Sequence, residues 1–203
     1  MIIIGYQGIG KSTLSARNLK YVDLESSNFW FDDPETKQRV RHFNWYEMYC
    51  NVAEYLSRQG YVVFVSSHQP VRERLLKSEE YVVACVPSLI LKDEWINKLK
   101  ERYENSLLEK DYKAYMNAAD RFTENVSDIM NSGFELLEIK DMSYNLKNLI
   151  EDKVTNLLSE YGYLYKYTRK ELKEKIAMLK DWDNYEPFHK AVELIESMVD
   201  QMA

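Results

Sequence analysis

Residues that punctuate or cross-link a fold are scarce in this chain. Its 203 residues include six glycines, four prolines and two cysteines. Cys50 and Cys85 lie in apolar segments and lack C-x-x-C or metal-ligand spacing, which leaves buried thiols in a reducing compartment as their reading. No apolar run approaches the roughly 20 residues that span a bilayer. The chain also opens directly on a strand-like run with no room for a leader, so a cytoplasmic protein without a membrane partner is expected. Positive charge is short as well: 27 Lys and Arg stand against 33 Asp and Glu, a net charge of −6 with no basic block. That balance disfavours a nucleic-acid surface, although a local pocket of Arg and Lys would still take a phosphorylated small molecule. Internal repeats and low-complexity segments are lacking. What remains, 45% apolar and 30% charged residues, is ordinary for a soluble chain able to fill one core and a small appended subdomain.

The scarce glycine is concentrated. Three of the six fall between residues 5 and 10, where Gly5-Tyr6-Gln7-Gly8-Ile9-Gly10-Lys11-Ser12 spells G-x-x-x-x-G-K-S. An apolar run, Met1 to Ile4, precedes it, and a helical pattern, Thr13 to Arg17, follows. A plain glycine-rich turn with a surface lysine needs neither flank; a phosphate-binding loop needs both. Glycines let main-chain N–H groups close on an anion, and the following helix adds free N–H groups and its positive dipole end. Gly5, Gln7, Gly8, Ile9, Gly10, Lys11, Ser12 and Thr13 are thus the candidate nucleotide-binding residues. Lys11 would reach the β- and γ-phosphates, and Ser12 would ligate Mg²⁺.

Strand-like runs alternate with helical periods along the chain, which argues for an α/β fold around a parallel sheet. The strand readings are Met1 to Ile4, Lys20 to Leu24, Tyr61 to Val65, Tyr81 to Val86 and Phe134 to Ile139. Helices are expected from Lys11 to Leu19, from an Asn44 cap with Glu47 as a capping-box partner to near Gly60, from Pro70 to Lys77, twice within 92–132, and after Leu146. Residues 26–43 lack a clean period and read as a loop or short helical insert. The tail differs: four alternating tyrosines from Tyr161 to Tyr167 precede two helical patterns. We divide the chain into a core, 1–160, with lid helices around 92–132, and a helical extension, 161–203.

Strand ends near a phosphate loop converge on the ligand crevice of a parallel sheet. Asp23 and Glu25 stand there, two apart and on one side of an extended chain. Asp23 is expected to orient Mg²⁺ and its water shell, and either acid to position or deprotonate an acceptor. They could also be solvated carboxylates at an exposed strand end. The third strand ends in Ser66 and Ser67 with no acid, which weighs against a motor ATPase or a switch GTPase. Ser66, Ser67 and His68 would instead face an acceptor. Phosphoryl transfer needs cations that follow charge onto the moving group. Arg102 and Arg121, in the lid region, are the candidates for that role; Arg72 and the Arg39/Arg41 pair are candidates for an acceptor's own phosphate. The insert Phe29-Trp30-Phe31 would stack on a nucleobase or staple the insert to the core.

With loop, acids and lid in place, residues 1–158 resemble the P-loop nucleotide and small-molecule kinases: nucleoside monophosphate, shikimate and gluconate kinases. Gly5 to Thr13 carries the resemblance, and Val22-Asp23-Leu24-Glu25 is similar to the shikimate-kinase pair of acids, with Glu25 in place of the second Asp. The resemblance implies a P-loop NTPase-type sheet of five parallel strands in the order 2-3-1-4-5, flanked by helices, with a lid and an acceptor region after the second strand. It departs from the pattern in lacking closely paired lid arginines, an acceptor-base motif after the third strand and any counterpart of the tail. The expectation is an ATP- and Mg²⁺-dependent phosphotransferase acting on a small-molecule acceptor, a nucleotide or nucleoside before a sugar acid. The alternative is a regulatory ATP- or GTP-binding module whose tail contacts a partner.

Overall fold

A computed structural model of the chain describes residues 1–30 and 43–160, with side chains through 154. Phe31, Arg39, Arg41 and the tail from residue 161 lie outside the described residues. The sheet-bearing body runs from Met1 to Leu149, and a second unit begins at Ile150.

Five strands form one all-parallel sheet: β1 (Ile2–Gly5), β2 (Tyr21–Asp23), β3 (Val62–Ser66), β4 (Val82–Pro87) and β5 (Glu135–Ile139). Their order is β2-β3-β1-β4-β5, the order expected from the resemblance. Ile3 of β1 pairs with Phe64 on one side and Val83 on the other. A central parallel strand is covered on both faces, so its residues run apolar without alternation. Accordingly Ile2, Ile3, Ile4, Val63, Phe64 and Val65 are all fully buried. Each such aliphatic side chain contributes roughly 1.5–3 kcal/mol, which is how a strand of four residues holds the middle of the sheet.

The described helices are α1 (Lys11–Ser15), α2 (Trp45–Arg58), α3 (Gln69–Leu75), α4 (Lys92–Ser106), α5 (Glu109–Met130) and α6 (Leu146–Glu160). Several expected boundaries move for identifiable reasons. Helix α1 ends four residues before Leu19, because Asn18 forms a turn in which its side-chain oxygen accepts from Lys20 N and its carbonyl from Tyr21 N. The capping box at α2 does not form. Asn44 makes no side-chain cap, and Glu47 instead accepts from Arg74 Nε of α3 at 2.9 Å. Met48 of α2 is 66% exposed. Residues 26–29 form a short 3₁₀ turn.

The segment expected as a lid is anchored in the core. Trp95 and Leu99 of α4 and Ala118, Phe122, Val126 and Ile129 of α5 are buried. The α4–α5 junction is locked by Asp111, which pairs with Arg102 and accepts from Ser106 Oγ at 2.6 Å. Burial alone would raise the pKa of Asp111; the Ser106 hydroxyl and the Arg102 guanidinium outweigh it and hold the carboxyl below its usual value.

Tyr49 of α2 ties the ends of two strands together. Its hydroxyl donates to Leu24 O at 2.7 Å and accepts from Ser66 N at 2.8 Å. Burial pushes the phenol's pKa up, so it stays protonated and keeps both bonds. Tyr49→Phe leaves a carbonyl and an amide unpaired at partly buried positions. It is expected to lower stability by about 1–3 kcal/mol in urea unfolding.

Candidate functional site

Strand order positions the site. The chain leaves β1 for β2 on one side of the sheet and later crosses from β3 to β4 on the other, so the direction of winding reverses at β1. Ligand crevices of open parallel sheets lie outside the carboxyl ends of the strands at such a reversal. The glycine segment between β1 and α1 occupies that place, lining an open cleft of about 1410 Å³ together with the ends of β2 and β3.

From Gln7 to Thr13, no backbone N–H donates to another described group of the protein; the first amide of α1 that does is Leu14 N, to Gly10 O. The last three of these amides belong to the first turn of α1, where a helix leaves its amides free, and together with those of the loop they form an anion-binding concavity when they turn to one side. Gly8 (φ 83°) and Gly10 (φ 99°) supply the left-handed conformations of that turn. Gly8 is also a point of close approach: a Cβ there would lie 2.9 Å from Leu99 Cδ2 and 3.2 Å from Trp95 Nε1. Lys11 folds back over the loop, donating to Gly5 O at 2.9 Å and Tyr6 O at 3.2 Å. Burial lowers the pKa of its ammonium, and the Asp23 carboxylate opposes that shift.

The structure brings Ser12 and Asp23 together: the serine hydroxyl donates to Asp23 Oδ2 at 2.6 Å. A hydroxyl and a carboxylate so placed beside the glycine loop are a hard-oxygen donor pair, a kind that could hold Mg²⁺ along with waters. Glu25 lines the same cleft but is exposed. It caps the 3₁₀ turn, its Oε1 accepting from Ser27 N and Ser27 Oγ at 3.4 and 3.2 Å.

The arginines divide by whether they are already paired. Arg102 lines the cleft with its guanidinium bound to Asp111. Arg121 lines it from a kink in α5 (φ −136°) and pairs with Glu124 on the exposed surface. Arg74 faces away, bound to Glu47 and Glu54. Arg72 is different: its Nε and Nη1 are buried at the cleft and have no hydrogen-bond partner among the described residues, and Ser66 Oγ is in the same condition. Ser67 and His68 line the cleft beside them. Phe29 and Trp30 pack edge-on against Tyr49 and Trp45, so these two aromatics staple the insert to α2.

Two cleft residues, Lys98 and Tyr144, and the buried Trp95 carry no motif and stand out only in three dimensions. Trp95 Nε1 donates to Gln7 O at 3.0 Å, and the Tyr144 hydroxyl lies 2.9 Å from Ile9 O. Lys98 Nζ donates to that hydroxyl at 2.8 Å. Burial, with the nearby Arg102 charge, lowers the pKa of Lys98. Trp95 reads from sequence as an apolar-stripe residue, and its indole N–H bond is invisible there. Tyr144 follows the carboxyl end of β5, the edge where ligand contacts gather in such sheets, and that position is the one signal for it. Gln7 adds a tie to α5, donating to Ala114 O at 2.8 Å.

No protein-family model and no curated protein matches this chain. The site therefore rests on its own geometry. Gly10→Ala should cost about 1–2 kcal/mol, the ordinary penalty of a left-handed alanine. Gly8→Ala should cost at least about 1 kcal/mol more, because its methyl also overlaps buried Leu99 and Trp95. Paired urea-unfolding curves measure the difference.

Proposed function

We propose that this chain is an ATP- and Mg²⁺-dependent phosphotransferase of the P-loop kinase type, acting on a small-molecule acceptor that carries an acid group. One observation carries the reading: the row of amides from Gln7 to Thr13 that have no partner among the described residues, with Lys11 folded over it. The cleft, at about 1410 Å³, exceeds the roughly 300–1,000 Å³ of a single small-molecule site and leaves room for a donor and an acceptor.

Each residue then has a distinct task. The amides and the start of α1 hold the polyphosphate. Lys11 exchanges its bonds to Gly5 O and Tyr6 O for phosphate oxygens and follows charge as it builds on the transferred group. Ser12 and Asp23 would hold Mg²⁺, which neutralises phosphate charge when bound. Glu25 is steered by two bonds to Oε1, and its Oε2 makes none among the described residues. That oxygen is the one available to an acceptor hydroxyl. Phosphoryl transfer demands little of a base beyond orientation, so an exposed carboxylate is adequate.

Arg72 favours an acidic acceptor and, with it, an enzyme over a passive binding module. Two buried guanidinium nitrogens without a partner among the described residues carry a desolvation cost, which a phosphate or carboxylate seated on the fork recovers through charge-assisted bonds. Ser66 Oγ adds a second contact. A nucleotide meets this requirement; a neutral nucleoside or sugar does not.

The test is ADP release from ATP with a panel of nucleoside monophosphates, sugar phosphates, sugar acids and their neutral counterparts. Release is expected with acidic acceptors only, and Lys11→Ala should abolish it with the fold intact. Arg72→Met should raise the acceptor KM by roughly 10- to 150-fold, the equivalent of a lost charged hydrogen bond of about 1.5–3 kcal/mol, while the KM for ATP stays unchanged. Calorimetry that detects no uptake of ATP, ADP, GTP or GDP removes the whole reading. ATP binding without acceptor-dependent turnover would select the regulatory module instead.

A further inference from the structure

The carbonyl side of the glycine loop is as organised as its amide side. Gln7 O accepts from Trp95 Nε1 at 3.0 Å. Tyr144 OH lies 2.9 Å from Ile9 O and 3.3 Å from Gly8 O. In a trans peptide unit the C=O and the next N–H point in opposite directions. Anchoring the Gln7 carbonyl therefore sets the Gly8 amide, and anchoring the Ile9 carbonyl sets the Gly10 amide. Gly8 and Gly10 are the two loop residues with positive φ, and glycine has no side chain to resist a peptide flip. The two anchors thus act on the flexible joints of the loop.

A hydroxyl can turn its proton either way, and Lys98 settles which. The ammonium donates to the Tyr144 oxygen at 2.8 Å, so the phenolic hydrogen must point elsewhere, and the loop carbonyls are within its reach. Lys98 is itself held over two rings, its Nζ 4.3 Å from the Trp95 ring centroid and 4.7 Å from that of Tyr144. The rings stack with centroids 5.9 Å apart. Indole, ammonium and phenol form one unit whose two outward donors end on the loop.

We propose that Trp95 and Tyr144 are positioning residues for the loop, with Lys98 fixing the Tyr144 proton, and that together they hold the Gly8 and Gly10 amides in the anion-receiving orientation before a ligand arrives. The inference rests on the polyphosphate reading of the loop, but the two fail separately. Inorganic tripolyphosphate serves as the probe, titrated calorimetrically into wild type, Tyr144→Phe, Trp95→Phe, Lys98→Met and Lys98→Arg, alongside ¹⁵N-glycine spectra of each ligand-free protein. Tyr144→Phe and Trp95→Phe should each weaken binding by about tenfold, the worth of one hydrogen bond of roughly 1.4 kcal/mol. Their Gly8 and Gly10 resonances should shift or broaden while those of Gly60 and Gly133 stay in place. Lys98→Met should weaken binding too, and Lys98→Arg should restore it. If Trp95→Phe does not fold, Tyr144→Phe, which deletes one hydroxyl, decides alone. Wild-type affinity in Tyr144→Phe, or unmoved Gly8 and Gly10 resonances, overturns the proposal. A wild-type protein that ignores tripolyphosphate removes the parent reading; the glycine spectra still decide whether the brace orients the loop.

Discussion

An amide that bonds to no other group of the protein is a cost to offset, and among the described residues an unbroken run of them extends from the loop after β1 into the first turn of α1. Much of the surrounding structure serves to keep them in that state. The three buried isoleucines of β1 drive the strand through the middle of the sheet and deliver Gly5 to its carboxyl edge. Three elements then reach the loop from outside: α4 through Trp95, α5 through Gln7, and the segment after β5 through Tyr144. Each bond takes a carbonyl or a side chain. None takes an amide.

Cations follow a complementary rule. With a net charge of −6, carboxylates are plentiful, and several of the described arginines are claimed by them: Arg74 by Glu47 and Glu54, Arg102 by Asp111, Arg121 by Glu124. Such pairs organise helices and hairpins, and surface ones add little stability. Arg72 keeps two buried donors without a partner among the described residues. Lys98 is held by aromatic faces and a phenol, with no carboxylate within ion-pair distance among the described residues. Availability, rather than mere position in the cleft, separates the groups that can receive an anion from those already occupied.

Parts of this arrangement are legible in the letters. The glycine–lysine–serine spacing, the apolar run before it and the helical period after it are local, and local chemistry is enough to specify a turn of free amides. The alternation of strand and helix signals conveyed the class of fold. Asp23 was legible because a strand end in a parallel sheet has a defined address, and it meets Ser12 at 2.6 Å. Boundaries were less so: the Asn18 turn cuts α1 short, and Arg74 draws Glu47 out of the cap that spacing suggests for it. In both cases a polar side chain had two possible partners, and sequence separation gave no means to rank them. The helices expected as a lid hold buried residues on both members of the pair, since an apolar stripe reads alike whether it closes over a ligand or rests on a sheet.

Sequence alone determined the loop, the acid beside it and the alternating pattern that makes a parallel sheet, because each depends on neighbours a few residues apart. Only the tertiary structure decided that Arg72 keeps two buried donors without a partner among the described residues, and which aromatic groups grip the loop. Arg72 and Ser66 both line the cleft, Trp95 reaches Gln7 across 88 positions and Tyr144 reaches Ile9 across 135. Pairings over such distances are set by how strands and helices pack, and no short window of residues contains that information.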